Sequence, residues 1–511
     1  MFRESDLQYV EKIGLNKQKV MQQVEILQRG NLFVNITAPA TAGKGIKVFD
    51  AKEIQQMLEG YDALIKGKKL LKFIPASGAA TRMFKDVFTF MEKYKTGIYQ
   101  DDPSLKEGFL LMNRLPQIAF YPALKRSMSQ QGMDLDDCLA RKDYVKVVKH
   151  ILFEDGLNYA ALPKGLLLFH TYGNEQRTAF EEHLVEGAAY AKNSDGKVHL
   201  HFTVSPEHHV FFENLFRQVH EKYENKYKVN YDISFSYQST ETHTIALDEN
   251  KQLFRNEDGS LEFRPGGHGS LLNNLSQLDA DIVFIKNIDN VTYDDLKADT
   301  FLYKKLLCAT LLNLQNRCFE YLKTLESSAI SEKDLHLMEL YIKDNLNIQL
   351  PVLYSSFSTL EKQAYLFNIL NRPMRVCGMV KRENEPGGGP FWLQNEKGEL
   401  SLQIVETSEI DNNNPEQWKH VEHSEYFNPV DLVCSLKNYK GESFDLSQYT
   451  DEKRYFISDK SKNGKALKAL EHPGLWNGAM SDWITVFVAV PLSTFTPVKT
   501  VNDLLRKEHV R

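Results

Sequence analysis

Apolar residues recur at helical spacing through residues 4–30 and 52–66, as in Leu7, Val10 and Ile13, around a loop rich in Thr, Ala and Gly. Residues 1–69 therefore predict an N-terminal helical region. The run Leu70, Leu71, Phe73, Ile74 is short, apolar and followed by small residues, the pattern of a buried strand entering a tight turn. Helical spacing returns over 84–160 (Phe84, Val87, Phe88, Met91; Val145, Val148, Ile151) before a strand-like run at 166–169. From 166 to 290, strands at 197–204, 231–238 and 281–286 alternate with helices near 178–192 and 207–222. Such alternation implies crossover connections and a substantially parallel sheet. A second helical stretch covers 300–345. Beyond 373 the chain reads as short strands and Gly/Pro/Asn loops, ending in an apolar strand at 484–490 and a helix near 500–508. The predicted fold is α/β, a mixed sheet flanked by helices over 70–511, with helical inserts at about 86–160 and 300–370.

With 511 residues the chain exceeds one ordinary hydrophobic core. Its 42% hydrophobic and 25% charged residues are those of a folded protein. A formal charge of -6 argues against a nucleic-acid partner, because duplex binders carry a clustered basic excess. The cysteines (Cys138, Cys308, Cys318, Cys377, Cys434) are odd in number and form no CxxC pair, which suggests neither a disulfide framework nor a zinc site. The N-terminus has no apolar signal core, and no run reaches the roughly 20 apolar residues that span a bilayer. A cytoplasmic protein without a membrane partner is expected, of unassigned oligomeric state.

Several segments carry chemistry. Pro75 to Met83 places Ser77, Gly78, Thr81 and Arg82 between a strand and a helix, so backbone N–H groups and a guanidinium converge as they do around phosphate. A small-residue turn serving only close packing has the same pattern. Pro163-Lys164-Gly165 offers a cation in a turn, or a solvated loop lysine. Gln238 ends a strand, and Gly266-Gly267-His268-Gly269 is a glycine turn around a histidine. Asp289 follows the strand at 281–286 toward the edge where open α/β sheets place ligands. A carboxylate capping the segment after it has the same pattern.

Taken in order, these segments resemble the UDP-sugar pyrophosphorylases of the sugar nucleotidylyltransferase superfamily. The loop with Gly78, Thr81 and Arg82 is similar to that family's L-A-G-G-x-G-T-R-L, with Ser77 and Ala80 standing where it has glycine. Pro163-Lys164-Gly165, with Arg177 to Glu181 beyond it, resembles the P-K-G and K-T-L-F-Q segments. Phe235 to Gln238 resembles F-x-Q, and Gly267-His268-Gly269 resembles P-P-G-H-G-D. Ile288-Asp289-Asn290 resembles V-D-N. Leu402 to Ile410 resembles V-V-E-Y-S-E-I, Phe427 to Asp431 resembles F-N-x-G-N, and Phe495 to Leu505 resembles F-x-P-V-K-x-x-x-D-L-L.

The resemblance implies a Rossmann-like nucleotide-diphospho-sugar transferase fold of the GT-A type. It also implies a nucleotidylyltransferase that joins a nucleoside triphosphate, UTP by preference, to a sugar-1-phosphate with release of pyrophosphate. Arg82, Lys164 and Lys499 inherit catalytic roles. Ser77, Gly78, Thr81, Gln238, Gly267, His268 and Gly269 inherit nucleotide contacts, and Glu406 and Asn428 sugar contacts. Asp289 inherits a Mg²⁺ ligand role, since that cation takes hard oxygens, with Asp431 a second metal candidate. Two alternatives stay open: a catalytically degenerate nucleotide-sugar binder, and a GT-A glycosyltransferase using Asp279-Ala280-Asp281. Ala42-Gly43-Lys44-Gly45 lacks the rest of a P-loop; His199/His201 alternate on one strand face and His208-His209 lacks HExxH spacing, so neither pair suggests zinc.

Overall fold

A computed structural model describes residues 2–78, 80–95, 102–327, 330–383 and 387–511. The chain divides into two compact units. One comprises Met1–Lys69, Gln238–Ile285 and Lys305–Val490; the other comprises Leu70–Tyr237, Lys286–Lys304 and Pro491–Arg511. Residues 1–69 group with these later segments of unit one.

In unit two, Leu70–Pro75, Lys197–Thr203 and Asn230–Ser236 form a parallel sheet, with Phe73 opposite His201 and Phe202 opposite Phe235. Helices Ala179–Tyr190 and His209–Tyr227 make the crossovers that parallel pairing requires. Thr178 caps the first of them: its hydroxyl accepts from Glu181 N and the Glu181 carboxylate accepts from Thr178 N, a reciprocal capping box. The insert 86–160 is helical as expected, with Lys85–Lys95, Lys106–Arg114, Tyr121–Gln130 and Tyr144–Leu152 among its helices. Its apolar faces join the sheet's in one core that includes Phe84, Phe90, Phe120, Val148, Phe180 and Phe202.

Unit one holds a mixed sheet in which Met374–Lys381 lies parallel to Ile484–Ala489 and antiparallel to Asp431–Ser435. A four-stranded antiparallel sheet pairs Phe263–Pro265, His243–Asp248, Lys465–Glu471 and Phe456–Lys462 in that order. The first helices, Glu4–Lys12 and Lys17–Arg29, cover this sheet through Val10, Val20 and Leu27 against Ile245, Leu247 and Leu470.

Two sequence expectations are corrected. The region 1–69 is not purely helical: Ile36–Pro39 pairs with Gly389–Gln394, and Gly45–Lys47 pairs with Ile484–Ala489. Strands this short carry too few alternations to register as a period. Near 500–508 the chain forms only a 3₁₀ turn, Val501–Leu505. No described helix is long and apolar enough to cross a membrane.

Candidate active site

Lys164, Asp289 and Lys499 meet in unit two. Lys164 opens a 3₁₀ turn after Pro163, and Gly165 lets that turn pack closely, because a Cβ there would come within 2.8 Å of Phe212. Asp289 stands just past the buried strand Ile282–Lys286. Lys164 Nζ donates to Asp289 Oδ2 (2.9 Å) and to the Val498 carbonyl (2.8 Å). Lys499 Nζ lies 3.1 Å from the same carboxylate oxygen and 3.4 Å from Oδ1. Burial alone would raise the Asp289 pKa, but Lys499 and Lys164 outweigh it and hold the carboxyl below its usual range. The Lys164 and Asp289 side chains are 14% and 9% exposed while Lys499 is 57% exposed, so Lys499 is the arm that can reach a solute.

The segment carrying Lys499 is tied down on both sides. Val498 N donates to the Asp289 carbonyl (3.0 Å) and Val501 N to the Met83 carbonyl (3.1 Å). Thr496 N donates to Asn290 Oδ1 (2.9 Å). Asp503 Oδ2 accepts from Lys499 N (2.8 Å) and Thr500 N (2.7 Å). The end of the Ser77–Arg82 loop, the carboxylate and both lysines are thereby joined through one short stretch of chain. Within the loop, Thr81 Oγ1 donates to the Ala160 carbonyl (3.0 Å), Ser77 is half-buried, and Gly78 and Arg82 are exposed. A Cβ on Gly78 would meet nothing within 4 Å, so the glycine is not required by packing. Ala79 lies outside the described residues.

Two buried ion networks of unit two escaped sequence reading. On the otherwise apolar strand Leu70–Pro75, Lys72 is fully buried. Its ammonium donates to Glu186 Oε2 (2.8 Å), whose other oxygen takes Lys286 (2.7 Å). Burial pulls Lys72 down to about 7 against the opposing pull of Glu186. Burial also acts to raise Glu186, but Lys286 and Lys72 prevail and hold it well below the carboxylate range. His183, on the same helix as Glu186, donates from Nε2 to the Ile288 carbonyl (3.1 Å), fixing the residue before Asp289.

In the second network, His170 Nδ1 donates to Glu182 Oε1 (2.9 Å) and its Nε2 meets His509 Nδ1 (2.9 Å). Lys297 donates to Glu182 Oε2 (2.5 Å) and to Asp294 (2.8 Å). Arg177, which the resemblance set beside a family lysine, pairs with Asp294 (2.9 Å) and lies over the Tyr172 ring at 3.7 Å. It is a structural cation.

In unit one, Gln238, Gly267 and His268 come together. Gln238 Nε2 donates to the Gly267 carbonyl (3.4 Å), and Gly267 sits at φ 74, where a Cβ would come within 2.6 Å of Glu471. The Gly269 Cβ position lies 2.2 Å from the Pro473 carbonyl, so this glycine too is required by packing. His268 stacks on Trp476 with centroids 4.3 Å apart and accepts from Leu475 N at Nδ1 (3.1 Å). That bond puts the proton of the neutral ring on Nε2, 3.7 Å from Glu406 Oε1. Burial lowers the His268 pKa, with Glu406 and Glu471 opposing. Gly474, Leu475 and Trp476 complete this bracket, and no local pattern announced them.

The other unit-one candidates are embedded in the fold. Asn428 is 4% exposed; its Nδ2 donates to the Gly378 carbonyl (3.0 Å) and its Oδ1 accepts from Val430 N (3.0 Å). These bonds support Val430 at a φ of 59, which a β-branched residue rarely adopts. Asp431 is buried at the start of Asp431–Ser435. Asp279 pairs with Lys437 (2.9 Å) and Lys69 (3.2 Å), and Asp281 accepts from Lys69 N (2.8 Å), so the acidic triplet of the glycosyltransferase alternative is committed to lysines. The loop at 386–390 includes Pro386, which lies outside the described residues.

No group of three or more His, Cys, Asp or Glu side chains capable of holding a metal occurs among the described residues. Mg²⁺ needs only one or two carboxylates when phosphate oxygens and water complete its shell. Asp289 supplies one hard carboxylate beside two lysines suited to phosphate, so the donor set fits Mg²⁺ only as the companion of a polyphosphate.

No curated protein matches the chain. Among solved structures, it is similar to UDP-glucose pyrophosphorylase from Leishmania major, at 11% identity and a TM-score of 0.43, covering 98% of this chain and 78% of that one. It is also similar to UDP-glucose phosphorylase from Trypanosoma brucei (12% identity, TM-score 0.42, 98% and 77% covered). A third is UDP-N-acetylglucosamine pyrophosphorylase from Trypanosoma brucei in complex with an inhibitor (14% identity, TM-score 0.44, 94% and 71% covered). The family described as Domain of unknown function (DUF4301) matches residues 3–510, and the chain belongs to that family.

Proposed function

We propose that the protein transfers a nucleotidyl group, uridylyl by preference, from a nucleoside triphosphate to a sugar-1-phosphate, releasing pyrophosphate. The observation that carries this reading is the meeting of Lys164 and Asp289 with Lys499, whose segment is bonded to the Met83 carbonyl just after the Ser77–Arg82 loop. Two ammoniums against one carboxylate leave a net positive charge, which suits a polyphosphate rather than a cationic or neutral substrate.

A phosphate oxygen of the sugar-1-phosphate attacks the α-phosphorus in line. The new P–O bond forms as the bond to the α,β-bridging oxygen breaks, and its electron pair leaves with pyrophosphate. Two polyanions must approach, so Lys164, Lys499 and Arg82 lower their repulsion and stabilise the charge of the transition state. Asp289 holds the two ammoniums in place and limits their motion, a positioning contribution. When Mg²⁺ accompanies the polyphosphate it supplies further charge neutralisation, and Asp289 is the carboxylate that would hold it. No covalent nucleophile is needed.

Recognition of the base is assigned to Gln238 and the Gly267-His268-Gly269 turn of unit one, whose amide and backbone groups offer paired donors and acceptors. Glu406, on the Nε2 side of His268, is retained as the sugar contact, whereas the bonding of Asn428 favours a structural part. The reverse reaction provides the test. Protein, Mg²⁺, pyrophosphate and UDP-glucose or UDP-N-acetylglucosamine should yield UTP. Tight UDP-sugar binding without UTP formation would favour the degenerate binder instead.

A further inference from the structure

Arg375 stands on the strand Met374–Lys381 of unit one, opposite Cys434 on one neighbour and Thr485 on the other, and is 0% exposed. Burial pulls its pKa below the ordinary range, and among the described residues no carboxylate opposes that pull. A desolvated guanidinium without an anion is costly, so its hydrogen bonds must hold it there. Nε donates to Thr485 Oγ1 (2.9 Å), while Nη1 donates to the Trp476 carbonyl (2.5 Å) and lies 3.4 Å from Met480 Sδ. Nη2 has no partner among the described residues.

Trp476 and Met480 both belong to the loop between the strands Lys465–Glu471 and Ile484–Ala489. That loop is the one that meets His268. The Trp476 ring lies 4.3 Å from the His268 ring with the planes 19° apart, and Leu475 N donates to His268 Nδ1 (3.1 Å). A Cβ on Gly474 would come within 2.5 Å of the His268 ring, so the loop lies flush against it. Among the described residues, Arg375 is the one partner that bonds Trp476 from outside its own loop. Asn477, also 0% exposed, adds no side-chain hydrogen bond beside it. The rigid guanidinium fork reaches a hydroxyl with one edge and a carbonyl with another at the same time, which an ammonium on a flexible stem does not reproduce.

We propose that Arg375 is a positioning residue for base recognition: from inside the sheet it fixes Trp476, and through the stacked ring it fixes His268 in the orientation that meets a uracil. The inference rests on the assignment of base recognition to Gln238 and the Gly267-His268-Gly269 turn.

The test uses the full-length protein, calorimetry with UTP, GTP and tripolyphosphate, and the Hε1 NMR resonance of His268, assigned by its loss in His268→Gln. In the parent, the stacked indole should displace that resonance from its random-coil position. Arg375→Met removes the donors and keeps an apolar chain of similar length. It should return the resonance toward the random-coil position, weaken UTP binding about tenfold, and raise KM for UTP with kcat unchanged. Tripolyphosphate, which has no base, should bind parent and variant equally. Thr485→Val, which removes the hydroxyl that anchors Nε, should give the same pattern to a smaller degree and covers failure of the first variant to fold. A parent that prefers UTP over GTP, with variants that keep both that preference and the His268 resonance, would overturn this inference and leave the base assignment standing. A parent without any preference for UTP would overturn the base assignment and this inference with it.

Discussion

Lys164 and Asp289, 125 positions apart in the chain, meet at 2.9 Å in a site where Asp289 also takes the ammonium of Lys499. Removing the shared carboxylate leaves Lys164 largely buried without its anion. Loss of one partner of a buried pair costs several kcal/mol, so Asp289→Asn should destabilise the protein by about 2–4 kcal/mol as well as lowering turnover by orders of magnitude. A carboxyl held below its usual range contributes stability above the unfolded pKa, near 4, and loses it as pH falls through the folded value. Urea midpoints at about pH 4.5 and about pH 2.5 should therefore differ less in the variant than in the parent. An Asp289→Asn protein with native stability and turnover would reduce the residue to a solvated loop carboxylate.

The two lysines separate on the same measurements. Lys499 is mostly exposed, and an exposed ion pair contributes at most about 1 kcal/mol, so Lys499→Ala should leave the thermal midpoint nearly unchanged. Lys164 donates to both Asp289 and the Val498 carbonyl, and Lys164→Ala should lower stability clearly. Both should cut pyrophosphate release at least a hundredfold, read by a coupled phosphate assay.

Buried histidines set the response to acid. Burial holds His509 at about 3 and His201 at about 4, and lowers His170 and His183 as well. A base whose folded pKa is depressed binds fewer protons than it does in the unfolded chain. Stability should then fall as pH drops from about 6.5 toward 4, by up to about 1.4 kcal/mol per pH unit for each such group. Thermal midpoints across that window should flatten in His509→Gln; an unchanged slope would remove His509 from the account.

The parts legible in the sequence were those whose residue identities are dictated by local chemistry. Pro163-Lys164-Gly165, Asp289 and Lys499 each stood in a short segment with a turn or strand beside it, and the structure joins them. The supports were not legible. Lys72 reads as an oddity in an apolar strand until Glu186 and Lys286 are seen around it, and Trp476 under His268 lies in a loop without periodicity. Contacts between distant segments leave no local pattern. The 3₁₀ turn Val501–Leu505 reads as a helix because Val501, Leu504 and Leu505 stand at near-helical spacing; the turn ends after these five residues, with Arg506 extended.

The proposed base recognition uses Gln238 and the glycine turn of unit one. The contact between Gln238 and Gly267 orients an amide at the glycine turn, so Gln238→Ala should erase any preference of UTP over ATP and GTP while sparing the fold. Calorimetry on parent and variant reads this directly, and equal affinities for all three nucleotides in the parent would remove Gln238 from that role.

The central claim is nucleotidyl transfer, and the most direct measurement is pyrophosphate release by the purified protein with UTP, Mg²⁺ and a panel of sugar-1-phosphates. Pyrophosphate should appear only when both substrates are present, in equal amount with a UDP-sugar, and should fall at least a hundredfold in Lys164→Ala and Lys499→Ala. Pyrophosphate formed at the same rate without any sugar-1-phosphate, or none formed with any member of the panel while UTP binds, would contradict it.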